Sequence, residues 1–382
     1  MALEKEIIVL GDIEMGAGNL TDDFISDKAL SELILELVKR PHPVDLVLNG
    51  DTFDFLKCPY FQNNALIYPR HITPDVSLTK LNLIYHAHQK VFRALEKFTQ
   101  SRKNRLFFTI GNHDFDLVYK EVQKDIKKLI GNHKNIYFLL KYRCHGVYVE
   151  HGQQYDFLNK INFRKLFLTY KNKLVLNLPY TSLGLISYFM HLKEEHPFLE
   201  RVFPRHTLFS FHHSVVKKMT FRGVSYFFKS ILYYPFRYYS DPTYTFPRNL
   251  FSEFYRRIKQ FNWDVDDIVH VFKRKRKKLF SLHKIYVLGH IHEKYIEDKE
   301  GVVILHPGSW RDEYDLIQDT RQLICRQKRY IQILVNAEDK LDYQLIVFPL
   351  QRSVLNFDQV VKNERYYLKK AAEEESFIPA LI

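Results

Sequence analysis

Short apolar runs alternate with helical patterns through the first 150 residues of the chain. Buried strands are predicted at 7–11, 44–51 and 105–110, and apolar residues at helical spacing predict helices over 27–40 and within 78–100. Ser26 or Asp27 is a suitable cap for the first helix. Two further β-like runs follow at 135–140 and 146–150. This alternation predicts an α/β fold in which helices cover a sheet.

The C-terminal third returns to β-like patterns. Strands are predicted at 284–288, 301–305, 330–336 and 343–348. Several of them are separated only by turn-length gaps, which favours antiparallel hairpins. From Asn363 onward the pattern predicts a charged surface helix.

Composition excludes several classes of protein. The 382 residues are 46% hydrophobic, so a disordered chain is excluded, and no apolar run approaches the roughly 18 residues of a spanning helix. The first residues lack the pattern of a secretory signal. Cys58, Cys144 and Cys325 are far apart and form no CxxC pair, which argues against disulfides and a thiolate zinc site. We expect a cytoplasmic protein.

The net charge of +13 is concentrated in one segment. Residues 157–280 contain 23 Lys and Arg against 8 Asp and Glu, which is +15 and leaves −2 for the rest of the chain. The same segment holds 29 of the 58 aromatic residues. We therefore predict a basic, aromatic-rich, mainly helical insert at 157–280, a core formed by 1–156 and 281–360, and a charged tail at 361–382.

Polar clusters follow the predicted strands at five places. They are Gly11-Asp12-Ile13-Glu14, Gly50-Asp51-Thr52-Phe53-Asp54, Gly111-Asn112-His113-Asp114, His151-Gly152 and Gly289-His290-Ile291-His292. Each cluster alone is typical of a turn. Because strand ends of a layered α/β fold converge on one edge, we expect all five to meet. Carboxylate, amide and imidazole donors together suit Mn²⁺, Mg²⁺, Fe or Zn²⁺.

These clusters resemble the calcineurin-like metallophosphoesterase family, whose pattern is DxH, GDxxD, GNHD or GNHE, a His, and GHxH. Four of the five blocks match fully, over roughly 5–155 and 283–315. The resemblance implies a four-layer α/β/β/α sandwich and a phosphoester hydrolase with two divalent ions, with Mn²⁺ preferred. Asp51 would bridge the ions. Asp12, Glu14 and His292 would complete one coordination sphere, and Asn112, His151 and His290 the other.

The resemblance also implies catalytic roles. His113 would lie over the substrate as a general acid or phosphate-stabilising group, and Asp114 would orient its ring. Asp54 would be a supporting residue rather than a ligand.

Glu14 stands where the family usually has His. A carboxylate can take the place of the imidazole, which makes the ligand charge −3 instead of −2 and favours Mn²⁺ or Mg²⁺ over Zn²⁺. Alternatively, Glu14 points away, and the first ion binds weakly or not at all.

The insert suggests a surface for an anionic partner. Residues 215–239 predict an amphipathic helix with Lys217, Lys218, Arg222 and Lys229 among aromatic residues, as in elements that lie on membranes. Six consecutive cations follow at 273–278. The alternatives are that the aromatics form the insert's own core, and that the basic run binds nucleic acid or is a targeting signal.

A second, local resemblance concerns the substrate. His306-Pro307-Gly308-Ser309-Trp310 after a strand, together with the helical insertion, is similar to the UDP-2,3-diacylglucosamine pyrophosphatases, although this insert is larger and more basic. We expect a phosphodiesterase, pyrophosphatase or phosphomonoesterase acting on a lipid-like or membrane-surface substrate, peripheral at the inner face of the membrane. The alternatives are a nuclease of the same fold, a protein phosphatase, and a non-catalytic membrane-binding protein with a residual metal site.

Overall fold

The computed structural model describes residues 3–63, 65–204, 213–245, 252, 265–280, 282–338 and 340–377. Parts of the predicted insert, at 205–212, 246–251 and 253–264, residue 281 of the predicted core, and the last five residues of the predicted tail lie outside the described residues.

Strands account for nineteen of the described elements. They are β1 (Leu3–Leu10), β2 (Val44–Asn49), β3 (Tyr60–Gln62), β4 (Ala65–Ile67), β5 (Arg105–Thr109), β6 (Ile136–Leu139), β7 (Tyr142–Cys144), β8 (Val147–Val149), β9 (Phe167–Tyr170), β10 (Lys173–Leu176), β11 (Val202–Phe203), β12 (Ile285–Val287), β13 (Lys294–Lys299), β14 (Val302–Pro307), β15 (Tyr314–Ile317), β16 (Gln322–Cys325), β17 (Lys328–Asn336), β18 (Leu341–Phe348) and β19 (Leu355–Asn356).

The described α-helices are mostly short. They are α1 (Asp27–Val38), α2 (Pro74–Ala87), α3 (Gln89–Gln100), α4 (Lys120–Leu129), α5 (Tyr180–Gly184), α6 (Met190–Glu195), α7 (His213–Leu232), α8 (Tyr234–Tyr238), α9 (Val265–Lys275), α10 (Phe357–Lys362) and α11 (Glu364–Glu374). A π-helical turn at Leu185–Phe189 joins α5 to α6, and 3₁₀ turns lie at Phe115–Val118, Gln153–Tyr155 and Lys277–Leu279.

Two sheets form the centre of the fold. The first has the order β18-β17-β1-β2-β5-β6, with β1, β2, β5 and β6 parallel and β17 and β18 antiparallel to their neighbours. The second has the order β13-β14-β12-β8-β7, in which β8, β12 and β14 are parallel. Of the antiparallel hairpins predicted after the insert, β17–β18 is present. β14 pairs in parallel with β12 and forms its hairpin with β13, a strand that was not predicted.

Three apolar clusters give the order of the layers. Ile7 and Val9 of the first sheet pack against Val149 and Val287 of the second. On the opposite face of the first sheet, Ile8 and Leu10 pack with α1, α2, α3 and α4. Val269 and Phe272 of α9 cover the outer face of the second sheet. Alternating side chains thus bury both faces of each sheet, and the predicted α/β/β/α sandwich is confirmed.

The region predicted as a single pattern at 78–100 is two helices. α2 ends at Ala87 and α3 begins at Gln89, with His88 between them. The His88 ring is buried between Asp27 Oδ2 and Asp22 Oδ2, each 3.0 Å away. The backbone turns at His88 because its side chain is held by these two carboxylates, which periodicity alone does not indicate.

The insert is helical with an added hairpin. β9 and β10 pair with each other, and β11 pairs with β15 outside the insert. Ile161, Leu176 and Leu183 belong to the same apolar cluster as α1 and α3. The first part of the insert therefore packs directly on the core. Within the described residues, no helix has both the length and the apolar character needed to cross a bilayer.

Candidate metal centre

The five polar clusters meet at one edge of the two sheets. Glu14 N–H donates to Asp51 O at 2.7 Å, and His290 N–H donates to the Asp12 carboxylate at 3.0 Å. His113 N–H donates to Asp51 Oδ1 at 2.7 Å. Clusters that are up to 278 residues apart in sequence are thus joined by direct hydrogen bonds.

The backbone at this edge is unusual. Five of the seven predicted ligands have a positive φ, between 47° and 86°: Asp12, Glu14, Asp51, His290 and His292. Such conformations are uncommon for residues other than glycine and concentrate at functional sites. Glycines allow the close approach of the loops, since a Cβ at Gly50 would collide with the His151 ring and one at Gly111 with Asp51 Oδ1.

One group of donors surrounds Asp51. His151 Nε2 lies 3.0 Å from Asp51 Oδ2, and donor atoms of Asp51, His151 and His290 all lie within 4.8 Å of one another. Burial alone would lower the pKa of His151, but Asp51 and Asp12 outweigh it and raise the pKa to about 10. Burial opposes ionisation of Asp51, yet the His151 and His113 rings lower its pKa.

A second group lies around His292. Its Nε2 is 3.4 Å from Glu14 Oε1 and 3.6 Å from Asp12 Oδ1. Two donors bound to one ion at about 2.1 Å, at angles between octahedral and tetrahedral, are roughly 3.0 to 3.4 Å apart. The spacing around His292 is therefore close to that of a coordination sphere, and one oxygen of Glu14 points towards it.

Two buried polar atoms at this edge are candidate metal ligands. Asn112 Oδ1 forms no hydrogen bond with any described residue although it is buried, and His151 Nε2, also buried, has only its ion-pair contacts with Asp51 and Asp12. Buried polar atoms are nearly always paired, so such exceptions need an explanation. A divalent cation accounts for both, since amide oxygen and imidazole nitrogen are suitable ligands. The donors present fit a metal centre.

The His113 ring is held by Asp54. Its Nδ1 is 3.0 Å from Asp54 Oδ1 and 3.7 Å from Glu14 Oε2. Burial lowers the pKa of His113, but Glu14 and Asp54 outweigh this effect and raise the pKa to about 9. The ring is therefore cationic at neutral pH before any metal binds.

The hydrogen-bond contact to this ring comes from Asp54, whereas Asp114, which was predicted to orient it, bonds to backbone groups. Asp114 accepts hydrogen bonds from the backbone N–H groups of Gly111 and Thr52, at 2.7 and 2.8 Å. Its carboxylate fixes the two loops that carry Asp51 and His113 instead. Burial and the nearby Asp51 raise the pKa of Asp114 to about 7.

A buried network of charges borders the site, and sequence reasoning did not identify it. Lys57 Nζ lies 2.7 Å from Glu14 Oε2, 2.5 Å from Asp23 Oδ2 and 2.9 Å from Asp54 Oδ2. Glu14, Asp23 and Asp54 also satisfy the spacing of a metal site, but Lys57 Nζ is among them. The Arg311 guanidinium contacts Glu14 Oε1 at 3.3 Å and Asp23 Oδ2 at 2.8 Å.

Two further carboxylates support the predicted ligands. Asp156 Oδ2 is 3.3 Å from His290 Nε2, and Glu313 Oε1 is 2.9 Å from His292 Nδ1. The sequence gave little indication of these charged neighbours of the predicted ligands. Lys57 is a lone cation after the apolar Phe55-Leu56, and Arg311 and Glu313 follow the Gly-Ser-Trp turn.

Comparisons with known proteins indicate the same family as the candidate metal centre does. A model of the family described as calcineurin-like phosphoesterase matches residues 6–294. Among curated proteins, none matches the chain by sequence.

Similar solved structures include two remote ones. A Staphylococcus aureus protein assigned as a 5'-nucleotidase, in complex with alpha-ketoglutarate, has 11% identity and a TM-score of 0.32 over 97% of this chain and 58% of that one. The phosphopantetheinyl hydrolase of Mycobacterium tuberculosis has 11% identity and a TM-score of 0.28 over 81% and 91%. The chain thus spans little more than half of the first of these proteins. The family match over most of the chain shows that this protein belongs to the calcineurin-like phosphoesterases.

Proposed function

We propose that the chain hydrolyses a phosphodiester or pyrophosphate bond at a centre of two divalent ions. The observation that carries the proposal is the position of Asp51, whose carboxylate lies between the donor groups around His151 and around Glu14. Asp12, Glu14 and His292 would hold one ion, Asn112, His151 and His290 the other, and Asp51 both. Ions bound there would polarise the phosphoryl group and lower the pKa of a coordinated water.

The charge of the donor set supports Mn²⁺. Asp12, Glu14 and Asp51 bring −3 against +4 from two divalent ions. Their hard oxygens, beside three imidazoles and an amide, suit Mn²⁺ or Mg²⁺ better than a thiolate set would.

His113 is placed for proton transfer. It is the predicted residue over the substrate, and Asp54 holds its Nδ1, which leaves Nε2 to face a leaving oxygen. Because Glu14 and Asp54 outweigh burial and raise its pKa, the ring carries a proton at neutral pH. It can donate that proton to the departing alkoxide or phosphate.

The insert supports a lipid-like substrate at a membrane surface. Along α7, α8 and the residue that follows α8, apolar side chains recur every three or four residues and are 44–91% exposed: Phe221, Val224, Phe228, Leu232, Phe236 and Tyr239. The opposite side of the helices is buried through Val215, Tyr226 and Tyr234. Among the described residues, the insert's core therefore uses one face of these helices, and we call the exposed face the aromatic stripe.

Cations flank the aromatic stripe. Lys217, Lys229 and Arg237 are exposed beside it. Exposed rings flanked by Lys and Arg suit the boundary between headgroups and acyl chains of an anionic membrane. The basic run at 273–278 contributes less, because Lys273 pairs with Glu297 and Arg276 donates to Tyr155 Oη at 2.8 Å. A membrane surface therefore accounts for more of the insert than nucleic acid does.

The reaction type is tested with the full chain, stripped of metal and reloaded with Mn²⁺, Mg²⁺, Zn²⁺ or Co²⁺. Substrates are bis-p-nitrophenyl phosphate, p-nitrophenyl phosphate and a nucleoside-diphosphate lipid. We expect Mn²⁺-dependent turnover of the diester or the diphosphate, and loss of at least 100-fold in Asp51→Asn. Turnover of the monoester alone, or equal activity in Asp51→Asn, would contradict the proposal.

A further inference from the structure

The two carboxylate oxygens of Glu14 face different surroundings. Oε2 is bound by Lys57 Nζ at 2.7 Å and lies 3.7 Å from His113 Nδ1. Oε1 is 3.4 Å from His292 Nε2 and 3.3 Å from the Arg311 guanidinium. One oxygen is therefore fixed by an ammonium, and the other is directed at the position where the first ion would bind.

Lys57 is built into this position. Its side chain is 1% exposed, and Glu14, Asp23 and Asp54 lie within 3 Å of its Nζ. A buried ammonium is stable only when such partners are present. Asp23 does not depend on Lys57, because Lys193 and Arg311 each lie 2.8 Å from it. The Lys57 charge is thus available to Glu14 and Asp54.

We infer that Glu14 and Lys57 act as one charge-compensated pair that takes the place of an imidazole in the first metal position. The three carboxylates Asp12, Glu14 and Asp51 total −3, and the Lys57 ammonium, 2.7 Å from Glu14, brings that total towards the −2 that a neutral ring at position 14 would give. Arg311 also lies 3.3 Å from Glu14, but it pairs more closely with Asp23, at 2.8 Å. Lys57 is a positioning residue: it holds Oε2 so that Oε1 is the ligand. This inference rests on the proposed metal centre.

The pairing makes a prediction about coupled substitutions. Glu14→His alone leaves the Lys57 ammonium without one of its carboxylates and close to the incoming cation, so the first ion should be repelled. Glu14→His combined with Lys57→Met removes both charges and leaves a neutral ligand beside an apolar side chain. Metal binding should then recover.

Lys193 provides the matched control. It is 2% exposed and contacts Asp23 at 2.8 Å and Glu200 at 2.9 Å, in the same charge network. Among the ion pairs that Lys193 forms with the described residues, none involves Glu14. Lys193→Met therefore removes a comparable buried cation, and we expect it to leave the effect of Glu14→His unchanged.

The experiment titrates Mn²⁺ into metal-free full-length protein by calorimetry. Glu14→His is compared with its parent in three backgrounds: unmodified, Lys57→Met and Lys193→Met. We expect Glu14→His to weaken one of two ions at least tenfold in the unmodified and Lys193→Met backgrounds, and less than threefold in Lys57→Met. Thermal unfolding verifies that each metal-free variant is folded, and Lys57→Gln replaces Lys57→Met if the latter is not.

The same effect of Glu14→His in all three backgrounds would overturn the pairing. If the unmodified protein binds two Mn²⁺ ions and only the coupling is missing, the inference fails and the proposed function stands. If the unmodified protein binds no Mn²⁺, both fail.

Discussion

At the residue scale, we expect Asn112 to contribute to metal binding but little to the stability of the metal-free protein. Its buried Oδ1 has no hydrogen-bond partner among the described residues, so the metal-free protein bears the cost of an unsatisfied acceptor. We expect Asn112→Ala to change the unfolding temperature of the metal-free protein little and to remove most of the rise produced by Mn²⁺. Thermal unfolding with and without Mn²⁺ measures both effects.

Asn49 is the control for this prediction. It is a buried amide whose groups are paired, since Nδ2 donates to Glu150 O at 3.2 Å and Oδ1 accepts from Thr109 at 3.0 Å. Asn49→Ala should therefore lower the stability of the metal-free protein by about 1 to 3 kcal/mol. Equal destabilisation by both substitutions would contradict the role assigned to Asn112.

Asp54 gives a second prediction at this scale. Burial lowers the pKa of His113, whereas Glu14 and Asp54 raise it, so Asp54→Asn should move that pKa down. If His113 acts as an acid, activity is lost as pH rises through this pKa. The alkaline limb of the pH–rate profile should then shift to lower pH in Asp54→Asn, with kcat reduced about 10- to 100-fold. An unshifted limb would show that Asp54 does not act through the ring.

Sequence reasoning placed the candidate ligands at one edge, because polar residues after successive strands must converge there. It did not identify Lys57, Asp23 or Arg311 as neighbours of the site. Ion pairs such as Arg311 with Glu14, 297 positions apart, depend on how loops cross above the sheet edge. No local pattern of apolar and polar residues encodes that crossing.

At the element scale, the nine predicted strands agree with the structure to within two residues at each end, except that β1 begins four residues earlier than predicted. The apolar runs located them because buried strands must be apolar on both faces. Whether neighbouring strands pair in parallel or antiparallel was harder to predict from the sequence. β12 and β14 are close in sequence yet parallel, because β13 lies between them in the chain and pairs at the edge. The short hairpin of β9 and β10 within the insert was also missed, because its flanking aromatics resemble those of the helices.

The junction of α2 and α3 yields a prediction about pH. Burial would lower the pKa of His88, but Asp27 and Asp22 outweigh it and raise the pKa from 6.5 to about 10. A raised folded-state pKa means that the stability from His88 is fully present below pH 6.5 and is lost as pH rises through about 10. His88→Gln should be less stable by roughly 2 to 4 kcal/mol at pH 6.

The difference between the two proteins should narrow steadily from pH 7 to pH 10, because over that range the ring is neutral in the unfolded protein but still protonated in the folded protein. Denaturant unfolding of metal-free protein at several pH values measures it. A constant difference across the range would show that the ring is not cationic in the folded protein.

The aromatic stripe is the other element with a testable role. Phe228→Ser with Phe236→Ser removes two exposed rings, so we expect sedimentation with vesicles containing 30% phosphatidylserine to fall at least fivefold, with little change in unfolding temperature. Phe61→Ser is the control, because Phe61 is a half-exposed ring outside the insert. Unchanged vesicle binding, or stronger salt-sensitive binding to DNA than to vesicles, would reject the membrane surface.

At the scale of the whole molecule, the charge distribution matches the architecture. The acidic donors lie at the sheet edge, while the excess of cations is in the insert. The uneven distribution of charge could be predicted from the sequence, because charged residues can be counted along the chain without knowledge of the fold. The packing of the insert could not be predicted in this way. Ile161 and Leu183 belong to the core cluster because the hairpin and α5 fold back on the core.

Metal binding by the whole protein should release protons. Burial would lower the pKa of His151 and His292, but nearby carboxylates raise them to about 10 and about 9, so both rings are protonated at pH 7 without metal. Metal ligation requires neutral imidazoles, and each ion must therefore displace a proton. The affinity for Mn²⁺ should keep rising with pH up to about 9, instead of levelling near the ordinary histidine value of 6.5. Calorimetric titrations at pH 7 in Tris and in HEPES, whose ionisation enthalpies differ, would report one to two protons released. An enthalpy that is the same in both buffers would mean that the rings are already neutral.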